Sequence, residues 1–170
     1  EVKSGKVRRF SDLDLGIPKT LVASPKNAHV ALTNQRHELW MVDLDSGEAH
    51  RIDQADGMAI MGLDWSPDGH WLAYGRPHGR RTSLCSIHLW SLKDKTSTAV
   101  TDGRSFDWSP TFDPDGHYLY FLGHRDLDPV WDQVSFGYGF PRACRPWCIT
   151  LQKGLTHPFR PRPRAPGAKT

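Results

Sequence analysis

The side chains best suited to chemistry lie in one polar and aromatic segment near residue 130. They are Arg125, Asp126, Asp128, Trp131 and Asp132. A guanidinium, three carboxylates and an indole at this spacing can bind a peptide or a neighbouring protein surface through ion pairs and stacking. The same groups can instead pair with one another and hold the segment over the body of the protein. Both interpretations stay open on the sequence alone.

Catalytic and metal-binding patterns are the next possibility. Nine histidines accompany many serines and aspartates, yet the sequence contains no G-x-S-x-G nucleophile elbow and no Gly-rich phosphate loop. His70 and His117 directly follow Asp-Gly turns, which is typical of solvated residues at the start of a strand. Cys85, Cys144 and Cys148 form no CxxC pair, which favours reduced thiols over a disulfide or a metal site. We expect no catalytic residue, metal or cofactor in this chain, and whether it acts as an enzyme stays uncertain.

The elements that position these side chains are predicted by an internal repeat. Three segments align without gaps, each with a proline turn between two apolar runs: Ala23–Leu32, Trp65–Tyr74 and Phe112–Phe121. Their prolines, at positions 25, 67 and 114, are 42 and 47 residues apart. This period is close to that of a four-stranded propeller blade. Proline presets φ in each turn, and the glycine or asparagine after it accepts a positive φ.

The repeat predicts an all-β partial β-propeller of about three four-stranded blades plus one leading outer strand. Closed propellers have about four to eight blades, so this number cannot close a ring. The predicted units are an outer strand of a preceding blade (1–16), two blades (17–57 and 58–104), a blade with a long inserted loop (105–159) and an Arg/Pro linker or tail (160–170). The fourth strand of the last blade, Thr156–Phe159, is a short candidate because prolines disfavour an edge strand.

The charge distribution and hydropathy of the sequence limit the classes of partner that we expect. The net charge is +3, with +3 in residues 1–10, +4 in residues 158–170 and −4 in the 147 residues between them. A uniformly basic nucleic-acid surface is therefore not supported. No run approaches the ~20 apolar residues of a membrane span. The first residues lack the apolar core of a signal peptide, and the given sequence does not begin with Met, so we expect a cytoplasmic piece of a longer protein without nucleic-acid or membrane partners.

The third repeat and the long segment after it carry a family resemblance. The segments Ser109–Leu122, Arg125–Asp132, Phe140–Arg142 and Arg145–Pro146 resemble, in this order, the closing part of the second, seven-bladed propeller of tricorn proteases. The resemblance covers roughly residues 17–163. It implies a large cytoplasmic serine peptidase that assembles as a hexamer and trims oligopeptides, with this propeller forming a channel to the active site. The catalytic residues of that family lie in later domains, so none is carried over to this chain.

The resemblance predicts a non-catalytic propeller fragment that forms part of a substrate channel and an assembly scaffold. At the channel rim, peptide or a neighbouring domain would then contact Arg125, Asp126, Asp128, Trp131 and Asp132. The uncovered faces of the end blades predict self-association. The alternative is a TolB-like propeller module for protein–protein interaction, since short turn repeats of this kind occur in those propellers too.

Overall fold

The protein is described from a computed structural model, in which residues 7–79 and 84–160 are described. Thirteen β-strands occur in these ranges, and this part of the chain contains no helix long and apolar enough to cross a membrane. In chain order the strands are β1 Pro18–Ala23, β2 His29–Asn34, β3 Glu38–Asp43, β4 Ala49–Gln54, β5 Met61–Trp65, β6 Trp71–Pro77, β7 Cys85–Ser91, β8 Ser97–Ala99, β9 Phe106–Phe112, β10 Tyr118–His124, β11 Val130–Asp132, β12 Gly137–Gly139 and β13 Cys144–Thr150.

The strands form three antiparallel blades in sequence order, which confirms the partial β-propeller. The first blade is β1 to β4, the second is β5 to β8, and the third is β9, β10 and β13. The first strands of consecutive blades lie next to each other, β1 beside β5 and β5 beside β9. The second and third blades also meet at one parallel bridge between Cys85 and Phe106. All blade strands fall inside the predicted ranges 17–57, 58–104 and 105–159, while the exact blade boundaries stay predictions.

The end of the third blade differs from the predicted candidate strand. Residues 156–159 form no strand, and Pro158 has no N–H to donate to a sheet. The segment instead lies against β10, because the Tyr118 hydroxyl donates to the Thr156 carbonyl oxygen at 2.9 Å. The Phe159 ring lies 6.2 Å from the Tyr120 ring. Side-chain contacts thus replace a fourth strand in this part of the described chain.

The leading segment also lacks strand pairing where it is described. The predicted outer strand lies within residues 1–16, of which residues 7–16 are described and form no ladder. Arg8 donates to the carbonyl oxygens of Leu44 and Asp45, which places the segment against the β3–β4 turn. Residues 1–6 and 161–170 lie outside the described ranges. The assignments of 1–16 to a preceding blade and of 160–170 to a linker or tail therefore stay predictions.

The middle blade is apolar on both faces because it packs against a neighbouring blade on each side. Successive residues of a strand point to opposite faces of its sheet. In β6, Leu72 and Tyr74 pack toward the first blade, with Leu39 and Met41 in the same cluster. Ala73, which lies between them in sequence, belongs to a second cluster toward the third blade. That cluster is Ala73, Ile87, Phe112, Leu119 and Phe121.

Hydrogen bonds between blades fix how the sheets stack. Trp65 Nε1 donates to the Val22 carbonyl oxygen at 3.2 Å, which links the second blade to the first. The carboxylate of Asp64 accepts from the Phe112 N–H at 2.7 Å, which links the second blade to the third. Burial raises the pKa of Asp64, as expected for a carboxylate at an inter-blade contact.

The proline turns of consecutive blades also touch. Asn27 Nδ2 donates to the Gly69 carbonyl oxygen at 3.0 Å, so the first two turns lie against each other. Gly69 has φ +72°, and a Cβ there would lie 2.8 Å from Asn27 Nδ2 and 2.9 Å from Ser24 Oγ. Glycine is required at this position both for its backbone conformation and for the close approach of the first blade.

We expect Gly69→Ala to destabilise the protein by more than the ~1–2 kcal/mol that a left-handed backbone costs a non-glycine residue. The excess arises because the methyl group would collide with the side chains of Ser24 and Asn27. Gly154→Ala is the matched control, since Gly154 has φ +84° and no described atom lies within 4 Å of the position that its methyl group would take. Urea unfolding of both variants measures the difference. Equal losses would show that the turn contact contributes nothing to stability.

Candidate functional site in the third blade

The long inserted segment begins directly after β10, and Arg125 fixes its base. Arg125 Nε lies 3.0 Å from Asp107 Oδ1, and its Nη2 lies 2.6 Å from Asp107 Oδ2. The side chain of Asp107, in the neighbouring strand β9, is completely buried. These hydrogen bonds to Asp107 raise the pKa of Arg125. The result is a bidentate pair that joins the start of the insertion to the interior of the blade.

The strand opposite Asp107 leaves room for this pair. Gly123 faces Asp107 in the β9–β10 ladder. A Cβ at Gly123 would lie 2.7 Å from Asp107 Oδ1 and 3.0 Å from Trp147 Cδ1. The absence of a side chain at this position therefore lets the carboxylate and the indole approach the strand.

Two aromatic rings complete the environment of the guanidinium. The Arg125 guanidinium carbon lies 5.1 Å from the centre of the Trp147 ring and 5.3 Å from that of Phe121. Phe121 and Trp147 face each other across the β10–β13 ladder. A guanidinium over such rings gains cation–π attraction in addition to its ion pair. Arg125 is thus occupied by a carboxylate and two aromatic side chains.

The next two acidic residues lie at the surface. Asp126 Oδ2 lies 2.9 Å from Arg145 Nη2, and both side chains are about half exposed, at 49% and 48%. Exposed pairs of this kind contribute little to stability. Within the part of the chain that the structure describes, the side chain of Asp128 makes neither an ion pair nor a hydrogen bond. Asp128 is therefore available to a partner outside the insertion.

The centre of the insertion is a small hairpin rather than the loop predicted from the sequence. Strands β11 and β12 pair with Trp131 directly opposite Tyr138, and their rings are 5.3 Å apart with an interplanar angle of 80°. Asp132 closes the turn, because its Oδ1 accepts from the Val134 N–H at 2.9 Å and its Oδ2 accepts from the Ser135 hydroxyl at 2.7 Å. The bond from the Ser135 hydroxyl, followed by that from Val134, lowers the pKa of Asp132.

The hairpin exposes an apolar surface. Its large apolar side chains are all more than half exposed, and Phe136 is 80% exposed with a positive φ of 50°. We call this set the hairpin surface, and its members are Val130, Trp131, Val134, Phe136 and Tyr138. A hairpin with strands of three residues is marginal in water by itself. Large apolar side chains exposed on one short hairpin mark it as a candidate interaction site. The hairpin surface is therefore suited to contact with another polypeptide.

The five residues predicted from the sequence have different roles in the structure. Arg125 anchors the base of the insertion, Asp126 makes a surface pair with Arg145, and Asp132 closes the hairpin turn. Trp131 belongs to the hairpin surface, and Asp128 has no partner among the described residues. Sequence reasoning did not assign Asp107 to the site. The signal for it was an acidic residue between two aromatic residues, Phe106 and Trp108.

One group of side chains has donor types that bind metal ions. Asp113, Asp115 and His117, in the β9–β10 turn, each place one ligand atom within 4.8 Å of the others. The Asp113 carboxylate already accepts from the Tyr118 N–H at 2.7 Å, which closes the turn. An acidic turn of this kind occurs without a metal, and we assign none to it.

The comparisons with known proteins decide the family. The family model described as "Tricorn protease second beta propeller domain" matches residues 2–170. The chain belongs to this family. Among curated relatives, the "Putative Tricorn-like protease C-terminal subunit" of Sulfurisphaera tokodaii is 36% identical over 149 residues, 88% of this chain and 17% of that protein. The "Tricorn protease homolog" of Saccharolobus solfataricus is 40% identical over 128 residues, 75% of this chain and 12% of that protein.

Solved structures agree with this membership. The crystal structure of the tricorn protease superposes with a TM-score of 0.87 at 26% identity, covering 99% of this chain and 17% of that chain. A putative TolB from Agrobacterium tumefaciens gives 0.56 at 22% identity, covering 80% of this chain and 47% of that one. The similarity to the TolB structure shows a shared fold alone. The predicted family is therefore confirmed. This tricorn-family chain spans less than a fifth of the length of the tricorn relatives named here.

We expect Arg125→Ala to destabilise the protein by about 3–5 kcal/mol, since it leaves the buried charge of Asp107 without a partner. Arg145→Ala is the control, because it breaks only the exposed pair with Asp126 and should cost less than about 1 kcal/mol. Thermal and urea unfolding measure both variants. Similar losses for the two would contradict the assignment of Arg125 as the anchor of the insertion.

Proposed function

We propose that this chain is a non-catalytic part of the substrate channel and assembly scaffold of a tricorn-like serine peptidase that degrades oligopeptides. Membership of the family supports the peptidase context. The observation that carries the proposal is the insertion itself, which is anchored in the blade by Arg125 and Asp107 and presents the hairpin surface to its surroundings.

The division of roles within the insertion supports a contact function at its tip. Arg125 is held by Asp107 and two rings, so it acts as a positioning residue. Trp131 and Asp128 are the groups available to bind, one by its exposed indole and the other by its carboxylate. An unfolded peptide or a neighbouring domain offers both apolar side chains and cationic or N–H groups to such a surface. We place this contact at the rim of the channel.

The faces of the end blades support a second part of the proposal, which is assembly. Ile17 and Leu21, at the start of the first blade, are 69% and 61% exposed. At the other end, Phe159 is 72% exposed over the third blade. In a propeller each blade face packs on the next blade, so these side chains would be covered by further blades or by other copies of the chain. Self-association of the isolated chain follows from the same argument.

Partners and compartment follow from the same context. Oligopeptides are the proposed partners in the peptidase, and we propose that it acts in the cytoplasm. We propose no role for nucleic acid or membrane, because the body between the two basic ends has a net charge of −4. The alternative of a TolB-like interaction module shares the fold, but no contact in the described residues favours it over the peptidase context.

The hairpin surface can be tested in a tricorn-like peptidase that contains these residues. We expect Trp131→Ser combined with Tyr138→Ser to lower turnover of oligopeptides or the mass of the assembly several-fold, because the exposed ring pair is lost. Trp71→Ser is the matched control, since Trp71 is an exposed tryptophan of the second blade, 41% exposed, outside the insertion. Peptide turnover and light scattering are the measurements. If both stay at the level of the control, the insertion has no contact function.

A further inference from the structure

Another polar cluster lies between the first and second blades. Its members are linked side chain to side chain by consecutive hydrogen bonds from a half-buried histidine to an aspartate of the outer strand β4. We call this cluster the relay, and its members are His78, Ser86, His88, Ser97, Tyr74, Asp53 and Arg76.

One end of the relay bridges the two blades. Asp53 Oδ2 accepts from the Tyr74 hydroxyl at 2.8 Å and from Arg76 Nε at 2.9 Å. Asp53 belongs to the first blade, while Tyr74 and Arg76 belong to β6 of the second. Tyr74 is completely buried, and burial raises its pKa. The tyrosine hydroxyl therefore keeps its proton and holds the blades together as a donor.

The other end of the relay places one serine between two imidazoles. Ser86 Oγ lies 2.7 Å from His78 Nε2 and 3.0 Å from His88 Nε2. Ser86 is 1% exposed, so solvent does not take the place of either histidine at this hydroxyl. Ser97 Oγ continues the path, at 3.5 Å from His88 Nδ1 and 2.6 Å from the Tyr74 hydroxyl oxygen.

The number of protons on each group sets the direction of every bond. A carboxylate only accepts, so Tyr74 donates its single proton to Asp53. Ser97 must then donate to the Tyr74 oxygen, and its own oxygen accepts from His88 Nδ1–H. A neutral His88 with its proton on Nδ1 has an unprotonated Nε2, which accepts from the Ser86 hydroxyl.

The remaining bond is fixed in the same way. The Ser86 hydroxyl donates a hydrogen bond to His88 Nε2, so the Ser86 oxygen accepts one from His78 Nε2–H. All bonds of the neutral relay therefore run from His78 toward Asp53. This order assigns one tautomer to each of the two histidines.

We propose that His78, Ser86 and His88 form a proton relay that makes the contact between the first and second blades sensitive to acid. When a proton binds at His78 Nδ1, the positive charge that it brings is passed on in two coupled steps. The N–H bond at His78 Nε2 breaks as an O–H bond forms at Ser86, while the original Ser86 O–H bond breaks and an N–H bond forms at His88 Nε2. The step places the positive charge on His88, where burial disfavours it, and no other reactant is needed.

The groups that face His88 decide the effect of that charge. Burial is the largest influence and disfavours the charged form, Asp53 in β4 favours it, and Arg76 in β6 and His78 disfavour it. Together they lower the pKa of His88 to about 4 from its ordinary 6.5. The unfolded chain binds this proton first, so stability is full above pH ~6.5 and falls as the pH decreases toward 4. Protonation of His88, whose ring stacks on that of Tyr74 at 5.4 Å, therefore destabilises the folded blades at this contact as the pH falls.

The relay also predicts how the two histidines share protons. With one added proton, Ser86 can accept from one imidazole and donate to the other. With two, both Nε2–H groups point at the Ser86 oxygen, and the serine proton loses its acceptor in the relay. The pair should therefore take up its two protons in two separated steps, which belong to the pair rather than to either residue.

Histidine side-chain NMR of the ¹⁵N-labelled chain tests the relay, with resonances assigned through His78→Gln and His88→Gln. We expect His88 to carry its proton on Nδ1 at neutral pH and His78 on Nε2, followed by two separated titration steps. Ser86→Ala should remove the tautomer preference of His88 and shift its midpoint by at least half a pH unit, about threefold in proton affinity. A His88 protonated on Nε2 at neutral pH would overturn the proposal.

The controls separate the relay from a general loss of stability. Ser91→Ala removes another buried hydroxyl of β7, which bonds to Asp94 and to neither histidine, and should leave both titrations unchanged. If Ser86→Ala does not fold, Tyr74→Phe takes its place, because without the tyrosine hydroxyl Ser97 can donate to His88 Nδ1. The Nδ1–H form of His88 should then decrease. Unchanged His88 tautomer and midpoint in the folded variant would contradict the relay.

Discussion

The packing of one blade face against the next is the constraint on which the rest of this structure depends. The middle blade is apolar on both faces, with Leu72 and Tyr74 directed to one neighbour and Ala73 to the other. Burying these faces removes apolar surface from water, which is the main favourable contribution to folding. The specific hydrogen bonds between blades, such as that from Trp65 to the Val22 carbonyl oxygen, add orientation to this packing. The Arg125–Asp107 pair and the relay are both built on blades held in this way.

The two clusters use buried charge differently. In the third blade, Arg125 and Asp107 form a closed pair inside the sheet, and the polypeptide that follows is free to present the hairpin surface. Between the first two blades, Asp53 is the end point of an ordered path of hydroxyls and imidazoles that begins at His78. The first cluster fixes where an interaction surface is placed. In the proposed relay, the second makes a packing contact responsive to protons, so the proposed scaffold role of the blade and its proposed sensitivity to acid have separate physical origins.

The turn repeat predicted the fold well, because proline and glycine act locally. It placed the turns before β2, β6 and β10, and with them the blades. The hairpin in the insertion was not predicted, since strands of three residues produce too little periodicity to be distinguished from a loop. The partner of Arg125 was not predicted either, because Asp107 is brought to it by strand pairing rather than by sequence proximity. The same holds for the relay, whose members extend from residue 53 to residue 97 and meet only after two blades have stacked.

The central claim is that the insertion is fixed at its base and open at its tip until a partner covers it. Amide hydrogen exchange, compared between the 170-residue chain and an assembled tricorn-like peptidase containing it, tests this most directly. We expect slow exchange in β10 and β13 in both samples, with β11 and β12 exchanging fast in the isolated chain and slowly in the assembly. Exchange in β11 and β12 that is equally fast in both would contradict the claim, because the hairpin surface would then have no partner.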